Sequence, residues 1–166
     1  MIVFLWIRSS YVTAVELTVV TESYPPFITH ENDEISGTVT AVVLDILANS
    51  RIEYSLNLYP WARSYQIARS QPNTLIYSII KSPERAPHFH WFCPIYKSST
   101  IYAYKLTSNP IGIGTYQQLK KANIGILRHD ISHKNLSKRG FELGKNLDIS
   151  ATEDINLMKL VNGRID

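Results

Sequence analysis

The chain has 166 residues, enough for one ordinary domain or two small lobes. Its apolar fraction of 45% is typical of a globular protein and excludes a largely disordered chain. The net charge is only +3, and the basic residues are interleaved with acidic ones, so we expect no nucleic-acid partner.

The N-terminal residues have the character of a short secretory leader. Residues 1–7 are almost wholly apolar, and residues 12–14 offer the small side chains that a signal peptidase reads. The apolar run is short and Arg8 follows it, so a first β-strand is the alternative. We expect a weak signal peptide over residues 1–14 and export to the periplasm. No later segment approaches the length of a transmembrane helix.

From Leu17 onward, strand and helix patterns alternate, which predicts an α/β fold built from βαβ units. In chain order, the first half predicts a strand at 17–21 and then a helix, whose apolar stripe is formed by Val39, Val42, Val43, Ile46 and Leu47. A strand at 54–58, a helix beginning at Pro60 and ending before Pro72, and a strand at 75–80 follow. The strand at 75–80 is nearly all apolar, so we expect it to be central in its sheet.

Ser82-Pro83-Glu84-Arg85 has the order of a helix start, with serine at the cap and proline at the first helical position. Arg85 does not follow this logic, because a cation in the first turn faces the positive end of the helix dipole. Two explanations stay open. Arg85 binds an anionic ligand, or it is a surface residue paired with a carboxylate.

The second half predicts strands at 92–96 and 100–106, followed by a boundary around 109–114. After the boundary we expect a helix at 116–121, a strand at 124–127, a helix at 132–139 and a strand at 147–151. A helix at 153–162, capped by Gly163, then leads to the beginning of a strand at 164–166. We therefore divide the chain into a first lobe at 15–108 and a partial second lobe at 109–166.

The single cysteine and one pair of histidines are the candidates for a reactive thiol and for a metal site. Cys93 is the single cysteine, which excludes an internal disulfide, and its apolar neighbours predict a buried packing residue. His129 and His133 have the i, i+4 spacing of a helical metal site, but no third ligand is evident. We expect no metal, no cofactor and no catalytic residue.

Aromatic residues surround Arg63, because Tyr59, Trp61 and Tyr65 lie on either side of it. Such a cluster is either a stacking surface for a ligand or the packing of a helix on a sheet. We take Arg63 and Trp61 as candidate ligand contacts.

Six stretches run in the order found in one protein family: LTVVTESYPPF, ISGTVTAVVLDIL, LYPWARSYQIARSQPNTLIYSI, SPERAPHFHWFCPIYKS, NIGILRHDISHKNLSKRGF and LMKLVNGRID. By this ordered set the chain resembles the bacterial extracellular solute-binding proteins of family 3. The resemblance covers residues 17–166, and it is carried by the set because no single stretch is diagnostic.

The resemblance implies a two-lobe fold that closes over a small-molecule solute by hinge motion. The solute would be an amino acid or a related carboxylate, delivered in the periplasm to a membrane ABC permease by a monomer without enzymatic activity. Relatives continue past the position of Asp166 to a ligand-binding aspartate and a return to the first lobe. The resemblance therefore also predicts a truncated chain, and a non-functional fragment is one alternative.

The resemblance also assigns residues. Arg85 would grip the solute carboxylate, Tyr24 would cover the solute, and Ser78 would add a hydroxyl. A second hydroxyl position falls on Ile80, which cannot donate a hydrogen bond. Asp130 lies in a turn that is bulkier and more charged here than the glycine- and hydroxyl-rich turn of relatives. We expect Arg85→Ala to abolish binding and leave the fold near native, since a helix start lies outside the core.

Two other functions stay open. Some relatives of this fold are dehydratases that act on cyclic prephenate-like acids, and such an enzyme needs a cleft carboxylate with a raised pKa as its general acid. Glu22 is the candidate, although it is equally compatible with a surface position. A sensory input module would require a downstream transmembrane helix.

Overall fold

The computed structural model describes residues 16–96 and 100–166. The predicted signal peptide lies outside this part of the chain. The first lobe contains, in chain order, β1 (Leu17–Thr21), the hairpin strands β2 (Thr29–Glu31) and β3 (Glu34–Ser36), α1 (Thr38–Ser50), β4 (Tyr54–Leu58), α2 (Trp61–Ser70), β5 (Thr74–Ile76) and a 3-10 turn at Ala86–His88.

A parallel sheet of three strands forms the centre of the first lobe, in the order β4-β1-β5. Val19 of β1 pairs with Leu56 on one side and Leu75 on the other. The expectation that the strand beginning near Leu75 is central was wrong, because in the described sheet the central strand is β1. The alternating strands and helices were predicted correctly because β-branched runs and helical apolar spacing are strong local signals.

The second lobe contains α3 (Tyr116–Leu119), β6 (Ile124–Leu127), α4 (Ile131–Lys138), β7 (Leu147–Ser150) and α5 (Glu153–Val161). Its strands β6 and β7 are parallel and pack on a core of Ile126, Phe141 and Leu147. These five elements match the predicted ones, and Gly163 ends α5 in the left-handed conformation, with φ +65°. In the described part of the chain, no helix has the length and apolar character needed to cross a membrane.

Three expectations about regular structure were wrong. The helix expected after Ser82 is limited to the 3-10 turn, because Pro87 has no N–H to continue a hydrogen-bonded helix. The described residues of 92–96 and 100–106 form no strand. Residues 164–166 also form none, although the backbone of Asp166 bonds to Asn123.

Two expectations about burial also failed. Cys93 is exposed, and its neighbour Phe92 is 84% exposed, so the apolar sequence around this thiol does not pack inside the protein. In α1, Val39, Val43 and Leu47 are buried as expected, whereas Val42 and Ile46 are exposed. The buried face of α1 is thus narrower than the apolar stripe of its sequence.

Candidate functional site

Arg85 lies in the core between the two lobes, with only 1% of its surface exposed. Its Nη1 donates a hydrogen bond of 3.0 Å to the carbonyl of Ile80, in the first lobe. Its Nη2 donates a hydrogen bond of 3.1 Å to the carbonyl of His129, in the second lobe. The interpretation of Arg85 as a surface residue is therefore wrong, and so is the expectation that its place at a helix start lies outside the core. Its contact with an anionic ligand stays a prediction.

An aromatic platform supports this guanidinium. The Arg85 Cζ lies 5.0 Å from the ring centre of Trp61 and 5.4 Å from that of Tyr65. Both rings are buried, and Leu127 of β6 packs against them, so residues of the two lobes share one apolar cluster. Because Trp61 and Tyr65 are nearly inaccessible, their position agrees with the packing interpretation of this aromatic segment.

The guanidinium is not fully bonded. Its Nε is buried and has no hydrogen-bond partner within the described residues. An unpaired buried donor is costly, so this N–H marks a place where an acceptor would stabilise the site. Burial lowers the pKa of Arg85, while Asp130 opposes that shift, and arginine remains charged at neutral pH.

His129 presents its carbonyl to Arg85 from a left-handed conformation, with φ +61°. A positive φ is uncommon for a residue with a side chain and is retained where surrounding contacts hold it. Sequence reasoning missed this role of His129, because a main-chain acceptor leaves no signature in side-chain identity.

Glu22 immediately follows β1 and is half-buried. Burial is the largest cause that raises its pKa to about 8, and the carboxylates of Asp130 and Glu153 raise it further. The guanidinium of Arg85 acts in the opposite direction. A carboxyl group of the first lobe therefore senses two carboxylates of the second lobe, and it holds its proton near neutral pH.

Tyr24 belongs to the same neighbourhood. Its ring is 43% exposed and stacks on Phe27, with 5.6 Å between ring centres. Burial raises its pKa, and the next causes are the charges of Glu153 and Asp130. Each of five residues affects the pKa of at least one of the others or has its own pKa shifted by one of them, and we name these five the cleft group: Glu22, Tyr24, Arg85, Asp130 and Glu153.

The two second-lobe carboxylates stand at helix starts. Asp130 caps α4, and its Oδ2 accepts a hydrogen bond of 2.9 Å from the Ser132 amide. Glu153 is in the first turn of α5, which Thr152 caps. Sequence reasoning missed Glu153, because an acidic residue in a first helical turn is explained by the helix dipole alone.

Two predicted contacts stand apart from this group. Ser78 is exposed, with φ +60°. Arg63 is exposed, and its guanidinium lies 4.2 Å from the centre of the Tyr59 ring. No side-chain hydrogen bond or ion pair within residues 16–96 and 100–166 joins either residue to the cleft group, so their contact with a solute stays a prediction.

The spacing of His129 and His133 does not place both on one helix face. α4 begins at Ile131, after the cap residue Asp130, so His129 precedes the helix. Within the described residues, no group of three or more His, Cys, Asp or Glu side chains could hold a metal ion.

Comparison with solved structures identifies the fold. The chain is similar to a histidine kinase sensor domain with similarity to periplasmic binding proteins (TM-score 0.76, 19% identity, covering 91% of this chain and 65% of that one). It is also similar to the arginine-, lysine-, histidine-binding protein ArtJ from Geobacillus stearothermophilus (TM-score 0.72, 18% identity, 92% and 65%). A third similar structure is an ancestral arginine-binding protein bound to glutamine (TM-score 0.72, 15% identity, 91% and 67%).

The chain thus has the two-lobe α/β fold of periplasmic binding proteins, with the second lobe partial, and it spans 65% of the length of the first of these structures. At such low identity the likeness shows the fold alone. No protein-family model matches the sequence. No curated protein sequence matches it.

Proposed function

We propose that the chain binds a small polar solute, an amino acid or a related carboxylate, between its two lobes. The observation that carries this proposal is the position of Arg85, a cation of the first lobe whose Nη2 lies 3.1 Å from the His129 carbonyl of the second lobe. The charge of Asp130 in the second lobe also acts on the pKa of Arg85 and of Glu22. A ligand that contacts groups on both lobes favours the closed arrangement over the open one. The fold shared with amino-acid-binding proteins supports the same proposal.

The charges of the cleft group favour a solute that carries a cation. Because Glu22 holds its proton near neutral pH, the negative charges are the carboxylates of Asp130 and Glu153, against the one guanidinium of Arg85. Tyr24 adds an aromatic face that attracts cations. Arg85 is the cation of the group, and its guanidinium would bind a solute carboxylate once the lobes move apart, because the residue is 1% exposed in the arrangement described. Both features fit a basic amino acid, and the solved structures of similar fold include arginine-binding proteins.

A ligand screen by thermal melting tests this proposal. We expect arginine and lysine to raise the melting temperature more than glutamine, and glutamate to have the least effect. A ligand at a hundred times its dissociation constant adds about 2.7 kcal/mol, a shift of several degrees. Equal stabilisation by glutamate and arginine would contradict a cation-selective site, and no shift with any amino acid would contradict the proposal itself.

The paired variants Glu153→Gln and Lys145→Gln sharpen the screen. Glu153→Gln removes one cleft carboxylate, so it should weaken arginine binding about five- to tenfold, in line with loss of one partly desolvated charge contact. Lys145 is exposed and pairs with Glu142, away from the cleft group, so Lys145→Gln should bind arginine like the parent.

The same proposal includes transport: the chain acts as a monomer in the periplasm, closes on its hinge around the solute and delivers the solute to an ABC permease. It rests on the fold, since similar structures include periplasmic binding proteins. Stimulation of the ATPase activity of a reconstituted permease by the solute-loaded chain tests it. A sensory role is the competing use of the same cleft, favoured by the likeness to a kinase sensor domain, and it predicts solute binding without such stimulation.

A second candidate function is a dehydratase-like enzyme, favoured by one observation. Glu22 is half-buried beside Arg85 and holds a proton near neutral pH, as a general acid in an elimination requires. Incubation with prephenate-like cyclic acids tests this function by release of an aromatic product. Turnover that disappears in Glu22→Gln would support it, and binding of these acids without turnover would exclude it.

A further inference from the structure

A groove separate from the cleft group runs along α4 where that helix meets the first lobe. Its volume is about 320 Å³, and we name it the α4 groove after its lining residues: Glu84, His129, His133, Lys134, Ser137 and Lys138. No member of the cleft group lines it. The known fold and the proposed solute site therefore leave this groove without a role.

Most of the groove wall is apolar, and the polar groups of its lining residues are mainly cationic or hydrogen-bond donors. The lining presents two ammonium groups, two imidazole rings and one hydroxyl against the single carboxylate of Glu84. Glu84 forms an ion pair with Lys138, and this pairing lowers the pKa of Glu84 to about 2. Lys134 makes no ion pair with any residue in the described ranges, so its charge is uncompensated there.

The electrostatic surroundings of His133 show the sign of the local field. Burial is the largest cause that lowers its pKa, followed by the positive charges of His129 and Arg128. Lys134 acts in the same direction, and only Asp130 opposes them. Neighbouring cations disfavour protonation of His133, so the electrostatic potential in the groove is positive when no ligand is bound. A bound anion would reduce the repulsion between these cations.

We propose that the α4 groove binds a small oxyanion, phosphate or a phosphate ester. Ammonium groups and a hydroxyl are the donors that phosphate oxygens accept from, and the groove has room for an organic substituent. No member of the cleft group lines the groove, although the carbonyl of His129 accepts a hydrogen bond from Arg85. A failure to bind phosphate would leave the proposed solute site unaffected.

The oxyanion would compete with Glu84 for Lys138. Glu84 belongs to the first lobe and Lys138 to α4 of the second, so their ion pair joins the lobes. Binding should also strengthen at lower pH, because protonation of His133 adds positive charge beside the anion. The other titratable and charged groups that face this ring are His129, Arg128, Asp130, Lys134, Glu84 and Lys138.

Titration with inorganic phosphate at low ionic strength, followed by NMR signals of the histidine rings, tests the proposal. Lys134→Gln should weaken phosphate binding about fivefold, and Glu84→Gln should tighten it by a similar factor because it removes the competing carboxylate. Changes in opposite directions from two surface substitutions are not expected of a general loss of structure. Lys145→Gln, which changes an exposed lysine outside the groove, should leave the affinity unchanged.

The result that supports the proposal is saturable binding with this pattern. Absence of saturation, or equal weakening by Lys134→Gln and Lys145→Gln, would overturn it. Glycerol phosphate distinguishes the sources of the phosphate group. Tighter binding than inorganic phosphate would identify an ester as the ligand, and weaker binding would identify the free anion.

Discussion

The Nη2 of Arg85 and the backbone carbonyl of His129 are 3.1 Å apart, so a side chain of the first lobe is bonded directly to the main chain of the second. The same guanidinium holds the Ile80 carbonyl at 3.0 Å. Arg85 thus links the lobes, and its charge also lowers the pKa of Glu22. Arg85 therefore has a structural role between the lobes in addition to its proposed role in solute binding.

Replacement of Arg85 should therefore destabilise the fold. We expect Arg85→Ala to lower the free energy of unfolding by about 2–4 kcal/mol, because two buried carbonyls lose their donor and the Trp61 ring loses its cover. Urea denaturation measures the change. Arg63→Ala, at an exposed site, should change stability by less than about 0.5 kcal/mol. An Arg85→Ala protein as stable as the parent would contradict the interlobe role.

Glu22 should make stability depend on pH. Its pKa is raised from 4.5 to about 8, so between these values the folded chain retains a proton that the unfolded chain releases. The unfolding free energy therefore decreases as pH rises through this window. Glu22→Gln removes the dependence, and we expect it to stabilise the protein at pH 9 by about 1–2 kcal/mol, allowing for partial solvent screening. Melts at pH 4 and pH 9 check this, since the two proteins should differ only at the higher pH.

Two substitutions at Asp130 should separate its charge from its role as a helix cap. Asp130→Asn keeps a side-chain acceptor for the Ser132 amide, so stability should change little. Asp130→Ala removes the acceptor and should cost about 1 kcal/mol. Both substitutions remove a carboxylate that raises the pKa of Glu22, so NMR titration should find that pKa lowered in both. Unequal shifts would show that Asp130 acts on Glu22 through structure and not through charge.

The hydrogen bond between Tyr77 and Thr40 should contribute to the stability of the first lobe, and it can be tested without a solute. Their hydroxyl oxygens are 3.0 Å apart and buried, and they join α1 to the chain after β5. Tyr77→Phe and Thr40→Val should each cost about 1 kcal/mol, and the double variant should cost less than their sum. Additive costs in denaturant unfolding would mean that the two hydroxyl groups do not interact.

The sequence predicted the elements that depend on local pattern. Strands β1 and β4 and helices α1, α4 and α5 were found near their expected bounds, because apolar period and capping residues act within a few positions. The strands expected at 92–96 and 100–106 failed because a strand also needs a partner, and no local pattern supplies one.

The candidate site was less predictable for the same reason. Arg85 was singled out by its unusual place after Ser82-Pro83-Glu84, and Glu22 as a possible acid. Its partners come from distant sequence: the His129 carbonyl lies 44 residues from Arg85. Glu153 is farther still from Glu22, so only the packed lobes bring these groups together.

Strand β1 supplies core residues, and Glu22 of the cleft group directly follows it. Val19 and Val20 are fully buried, and Glu22 stands two positions after Val20. Asp130 and Glu153 instead occupy helix starts, where a change of side chain disturbs less packing. During divergence, new solute preferences should therefore arise mainly by substitutions in the second lobe, while β1 varies slowly because most changes there also cost stability.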